Sequence, residues 1–557
     1  MQQISAEKIN FTSPMKRRFL FIWLLLTGMA GPWGQAFYGL RAQAGGGEPI
    51  EVLHADRMIL SKKYPDLKLL DGHVRLKHKN AVLSCDKALL DTRKNFAEAI
   101  GHVILNQGDT LKLYADVIRY DGSKDFALAM GHVRMYDPTM QLQTDTLFYD
   151  KRRETAFYRS GGTIRDSINT LQSKVGKYFV KQNRYEFVHN VKVINPEYTI
   201  LSTHLDYNTQ QQVTRFFGPT KIIGDNSWVY AERGQYNSRD NTAWFTQKAF
   251  VHDRNKWTVA DSIYSDRNAS YYAASGHVRM KDSLRKVLIM AGYAQLLQGG
   301  DSVVLEQKPV IINYDRDTFY LAARRIYFAR RDSTRRMYAF PQVAFYRKDF
   351  SGRADSLYQS NTTGRIELYK NPVLWSNESQ ITGDRIFIVN NSATNRVDSL
   401  LMPHGVFIAQ KEEGGYNQIK GKSLKGKFIE GRLRHIDIRG NTETVYYLKD
   451  DQGRLSGIDR SVCSRIRIDL DTAGQATQIV LYDNPKGTTY PPGRMPEAEK
   501  FLPGFKWLGD KRIQSPDELL QGRPLDFNPP VLKPVYREEE DRKAVPVKLP
   551  ASFLKKL

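Results

Sequence analysis

The pentapeptide GHVRL at residues 72–76 returns as GHVIL at 101–105 and as GHVRM at 131–135 and 276–280. Gly72, Gly101 and Gly131 lie 29 and 30 residues apart, and Gly276 lies 145 residues past Gly131, five further steps of 29. A true period demands degenerate copies near 160, 189, 218 and 247. GGTIRD at 161–166, HNVKVI at 189–194, GPTKII at 218–223 and QKAFVHD at 247–253 stand there, each a turn-prone or polar start followed by an apolar or β-branched run. A second motif keeps the same step: Asp56, Asp86, Asp116, Asp145, Glu232 and Asp261 each follow a small residue, or one close to it in size, and precede apolar and Tyr positions. Beyond residue 300 the copies weaken but persist, as in KPVIINYD, PQVAFY, NPVLW and HGVFIA. A period of this length signals a stacked repeat array rather than a compact enzyme domain.

The local pattern decides between helical and β repeats. LKLYADVIRYD at 111–121 alternates, with Leu111, Leu113, Ala115 and Val117 on one face. Alternation with β-branched and aromatic residues reads as strand. FALAMGHVRMY at 126–136 is longer than a usual strand, and a glycine in its middle marks a bend or bulge. The spacing therefore predicts an all-β fold: an elongated, folded-over antiparallel β-jelly-roll, a "β-taco", built from about a dozen repeats of ~29 residues. The glycine is the corner of each layer and the valine after it restarts the strand facing inward. The two ends of such a stack are open sheet edges, suited to pairing with another protein.

A formal charge of +23 predicts attraction to something anionic. Cys85 and Cys463 are isolated, which excludes a disulfide scaffold and reads as two buried strand thiols. MKRRFLFIWLLLTGMAG, followed by AQA at 42–44, reads as a secretory signal peptide over residues 1–44, with an uncleaved N-terminal anchor as the alternative. Export to the periplasm, with association to the inner or outer membrane left open, argues against nucleic acid as the partner. The expected organisation is a β-repeat domain over 48–330, a continuation or second such domain over 331–485, and a Pro-rich basic tail over 486–557, extended or partly disordered.

Four histidines recur at one repeat position, His73, His102, His132 and His277, but other copies carry Gly162, Asn190 and Pro219 there. They read as structural, and so does the aspartate ladder, because an active site needs one special place. GKS at 421–423 lacks the glycine that a phosphate loop needs, since residue 416 is Tyr. No nucleophile–base pattern, metal-ligand spacing or cofactor motif stands out, so a non-enzymatic binding scaffold is expected. The interior is the candidate functional surface. Val74, Leu76, Val103, Leu105, Val133, Met135, Val191, Val193, Val278 and Met280 occupy the same two places after each corner, where they either pack a core or line an apolar trough. Arg75, Arg134, Lys192 and Arg279 alternate with them, as solvated charge or as contacts for anionic head groups.

YADVIRYDGSKDFALAMGHVRMYD at 114–137 and VADSIYSDRNASYYAASGHVRM at 259–280, with their A-D-x-x-x-Y-D and A-x-G-H-V layers, resemble the OstA-like family (organic solvent tolerance, N-terminal type), which includes the LptA-type periplasmic lipopolysaccharide carriers. The resemblance implies a groove that shields the acyl chains of lipopolysaccharide or a similar anionic lipid during outer-membrane assembly. It also implies end-to-end strand pairing with other transport proteins, or with a second copy. This chain is much longer than the usual carrier, and its Pro-rich stretch over 486–557 is not expected to form the β-barrel of the outer-membrane relative. Two rival readings are a filled β-solenoid scaffold or adhesin, and a polysaccharide-processing β-helix, which needs clustered carboxylates in a surface groove.

Overall fold

The structure, a computed structural model, describes residues 50–525 apart from interruptions at 79–80, 108–110, 137–139, 151, 180, 197, 298–300, 316–317, 332, 392–396, 431, 451 and 473–475, together with Phe527, Lys533 and Val535. Residues 1–44, read as signal peptide or anchor, lie outside the described residues. The chain divides into two compact units. One reaches to Arg254, with Asp266–Asn268, Lys533 and Val535 grouping with it; the other comprises Asn255–Ser265 and the described residues from Ala269 to Phe527. Both are antiparallel β throughout. Among the described residues, helix is limited to Asp517–Leu520 and two short 3-10 turns, and no helix is long and apolar enough to cross a membrane.

In the first unit the strands Tyr64–His78, Ala81–Asp91, Phe96–Gln107, Leu111–Asp121, Phe126–Tyr136 and Gln141–Asp150 pair in chain order. Each ladder breaks near its middle, where pairing jumps from Asp71 to Val74, from Ile100 to Val103 and from Met130 to Val133. The skipped residues are the Gly–His pairs, and both members have positive φ: +79 and +45 at Gly72–His73, +79 and +43 at Gly101–His102, +74 and +46 at Gly131–His132. Two consecutive left-handed residues crease the strand, so every layer turns at the same height. The two arms then face each other. Leu70, Ala88, Leu90 and Ala99 from one arm pack in a single cluster with Val74, Leu76, Cys85 and Val103 from the other.

Glycine is not essential to the crease itself. His189–Asn190 (φ +62 and +50) and Gln247–Lys248 (φ +60 and +61) make the same turn without it. Elsewhere the crease divides a strand outright, as between Thr155–Tyr158 and Gly162–Arg165, and each half still pairs within its own arm.

The second unit repeats this plan. Paired left-handed residues stand at Gly276–His277, Gln307–Lys308, Lys370–Asn371, Gly440–Asn441 and Asp483–Asn484, and the interior is an apolar cluster running from Ala260 through Phe345 and Leu368 to Ile468. One arm is apolar on both faces. Ile289 and Ala291 point into that interior, whereas Leu288, Met290, Val310 and Ile312 point outward and are covered by Ile513, Leu519 and Leu520. Met495 and Leu502 likewise cover Phe407, Ala409, Val445 and Tyr447.

The stretch from 486 is thus mostly extended but anchored at intervals by buried side chains, from Met495 to Leu520. Lys486–Tyr490 is a strand on Leu455–Leu470, and a strap follows it. Two buried glutamines hold the strap by its backbone. Gln418 donates to the Lys500 carbonyl at 2.7 Å and accepts from the Leu502 N–H at 2.9 Å, and Gln380 does the same with Lys506 and Leu508 at 2.8 and 2.7 Å.

Candidate functional site

The repeated histidines and aspartates are the two halves of one latch. His73 Nδ1 donates to Asp56 Oδ2 at 2.8 Å, His102 to Asp86 at 2.8 Å, His132 to Asp116 at 2.9 Å and His277 to Asp261 at 2.8 Å. The glycine is required by this latch. A Cβ on Gly131 would stand 2.1 Å from Asp116 Oδ2, and the other three sites are equally tight. Glu232 and Lys248 form a longer version, 3.2 Å apart, at the crease where Gln247 replaces glycine.

The latch histidines are 86–91% exposed, on the outside of the crease. Their carboxylate partners raise the pKa of His73 and His102 above the ordinary value. The latch at these two histidines therefore contributes fully below the unfolded-state pKa of about 6.5 and fades as pH rises through the higher folded value. In an imidazole NMR titration His102 is expected to titrate above ~6.5 and Asp86→Asn to bring it back to the ordinary value; an unchanged midpoint in the variant would contradict the latch.

Inside the fold, the valines after the crease are fully enclosed. Val74, Val103, Val133, Val191 and Val278 are 0–1% exposed. Leu76 and Met135 are also buried, while Leu105, Val193 and Met280 are partly open. The two arms converge at the crease, so the valines pack solid, and two cavities lie farther along the arms. In the first unit a cavity of about 140 Å³ lies between the arms, lined by Leu171, Val193 and Ile200 on one side and Phe187, Leu205, Phe216, Tyr207 and Tyr236 on the other, with Asp166, Asn169 and Ser238 adding polar groups. In the second unit a cavity of about 420 Å³ is lined chiefly by Phe350, Leu374, Ile381, Ile408, Ile419, Phe428, Leu433, Ile436 and Ile468. Of the ten residues expected to line a trough, Val193 lines one of these cavities.

Strand alternation puts Arg75, Arg134, Lys192 and Arg279 on the opposite face from those valines, the outer face of the same arm. Arg134 lies over the Tyr114 ring at 5.8 Å, and Arg279 donates to the Pro524 carbonyl at 2.7 Å, a contact with the strap. On the outer face of the other arm, Glu186, His204 and Asp206 approach one another, but Arg184 pairs with Asp206 at 2.7 Å and Lys177 with Glu186 at 3.5 Å, which balances the carboxylate charge. Both cysteines are buried and unpaired; burial pushes the Cys85 thiol up to about 11, leaving it in the unreactive protonated form.

The inner face also carries a feature legible only once the 29-residue step is applied to tyrosine. Tyr120, Tyr149, Tyr178, Tyr207 and Tyr236 are each 29 residues apart. Burial pushes the hydroxyls of Tyr207 and Tyr236 up to about 12 and those of Tyr120, Tyr149 and Tyr178 upward as well, so at neutral pH all five are protonated donors.

Residues 48–203 match a family model described as OstA-like protein. A search of curated proteins gives no match. A similar solved structure is that of LptH from Pseudomonas aeruginosa, described as the LptA homologous periplasmic component of the conserved lipopolysaccharide transport device. It is 21% identical, the match covers 24% of this chain and 79% of that one, and the TM-score is 0.14.

Proposed function

With residues 48–203 an OstA-like domain as the premise, we propose that the chain is a non-enzymatic periplasmic carrier or bridge that shields the acyl chains of lipopolysaccharide, or a similar anionic lipid, between its facing arms. The observation that carries this reading is the pair of apolar cavities between the arms, one in each unit. Covering an acyl chain is favourable by about 0.8 kcal/mol per CH₂, so a multi-chain lipid has a strong reason to leave water for such a lining. The net charge of +23 suits an anionic head group. Sheet edges at the ends of the strand stacks would receive partner transport proteins or a second copy.

The test is mass spectrometry of lipid carried through purification from native membranes, combined with photo-crosslinkers at Phe216 and Leu374, which line the two cavities. Acylated lipid is expected in the purified protein and in crosslinks at both positions. A lipid-free protein that also fails to crosslink at either position would favour the filled scaffold, a reading to which the solid packing of the crease valines lends some weight.

A further inference from the structure

The five tyrosines at the 29-residue step occupy one lateral row. Cross-strand register runs Tyr120–Ala127–Tyr149–Ala156–Tyr178–Tyr185–Tyr207–Thr214–Tyr236 without a break. The row faces inward: Tyr178 and Tyr207 pack with the interior cluster of Phe187, Ile200 and Leu205, and Tyr207 and Tyr236 line the cavity. It also sits at the rim, because each of the first two tyrosines is one residue from the end of its strand, at Asp121 and Asp150.

The turns just beyond the row present exposed cations alongside carboxylates. Lys124, Arg153 and Lys181 are 77%, 83% and 73% exposed, each next to an acidic side chain. From crease to turn, the arm therefore passes from aliphatic residues, through tyrosine, to cationic side chains. That is the polarity order of an anionic acylated lipid read from chain end to head group. Tyrosine suits the middle position because its ring belongs among methylenes while its hydroxyl needs a polar partner. Phenylalanine would fill the same space without that second requirement.

We propose that this row is a boundary rail, in which the tyrosine rings cover the last methylenes of bound acyl chains and the hydroxyls, that of Tyr236 turning from its long 3.5 Å bond to Asn241, donate to the ester or amide carbonyls that join those chains to an anionic head group at the cations of the turns. The proposal rests on the carrier reading above and adds the part of the lipid that is recognised. Most of its tyrosines recur every second strand, roughly 9.6 Å apart at ordinary strand spacing. A lipid therefore meets near-equivalent positions along the row instead of one deep well, which suits movement along the groove.

The experiment titrates the full chain and the triple variant Y149F/Y207F/Y236F with dioctanoyl phosphatidylglycerol and with its ether-linked counterpart, which lacks both carbonyls. Matching unfolding midpoints of the two proteins establish that the variant retains the fold. The wild-type chain is expected to bind the ester lipid about fivefold more tightly than the ether, as one or two net hydrogen bonds would give, and the variant to bind both as weakly as the wild type binds the ether. If both lipids bind but the wild type does not distinguish them, or the variant keeps the preference, the rail is overturned while the carrier reading stands. If neither lipid binds the wild type, the carrier reading fails and the rail goes with it.

Discussion

Replacing Gly131 by Val is expected to lower the stability of the first unit by about 3–5 kcal/mol, measured by urea unfolding. Two effects add. Gly131 has φ +74, a region that a β-branched side chain strongly resists. The new side chain would also begin 2.1 Å from Asp116 Oδ2, so the carboxylate must leave and the His132 latch must open. Asp116→Ala alone should cost little, because the latch is largely exposed. The double variant D116A/G131V should recover only the part due to the clash. Hydrogen exchange should show the loss concentrated in Leu111–Asp121 and Phe126–Tyr136 and their neighbours, as expected where each layer contacts only the next. A Gly131→Val protein within 1 kcal/mol of wild type would mean that this crease accepts even a β-branched residue and that the latch does not require the glycine.

Truncation after Tyr490 is expected to be more damaging still, leaving a protein that binds a hydrophobic dye and aggregates. The strap covers Leu288, Met290, Val310 and Ile312 at one place and Phe407, Ala409, Val445 and Tyr447 at another. Exposing that many apolar side chains, at 1.5–3 kcal/mol for each large one, costs on the order of 10 kcal/mol. Gln418→Leu tests the grip alone. The residue is fully buried, so its loss leaves the Lys500 carbonyl and the Leu502 N–H without their partner, at about 2–4 kcal/mol. A truncated chain that stays monomeric, with an unchanged unfolding midpoint, would show that the strap is dispensable to the fold.

The period and the alternation made the strands, the crease and the inward valines readable before any coordinates. GHV could be located because its glycine interrupts an otherwise regular strand pattern, and such interruptions have few physical explanations. The Asp–His partnership was harder. Both motifs keep one step, and Asp86–His102, Asp116–His132 and Asp261–His277 are each 16 residues apart, but that separation identifies a contact only once the hairpin register is known. The strap was harder again. Its buried residues, Met495, Leu502, Ile513, Leu519 and Leu520, are sparse among prolines and charges, so composition describes a linker. The clue lay on the receiving strands: VIIN at 310–313 and VFIA at 406–409 are apolar at consecutive positions, the mark of a strand covered on both faces. Arg75 and Arg134 alternate with the inward valines and therefore point outward, whereas the cations near the rim of the tyrosine arm sit in turns; Lys124 and Arg153 keep the 29-residue step, but there the acidic residues of the same turns surround them.

Gln380 and Gln418 grip the strap through backbone amides alone, each taking a carbonyl and the N–H two residues on. A clasp of that kind is blind to side-chain identity: it specifies an extended peptide and its phase, nothing more. Mutational drift along the strap is then limited mainly by its few anchor residues, while the two amide side chains that read it have no conservative substitute. Related chains should therefore diverge freely in the strap and hold those two glutamines fixed.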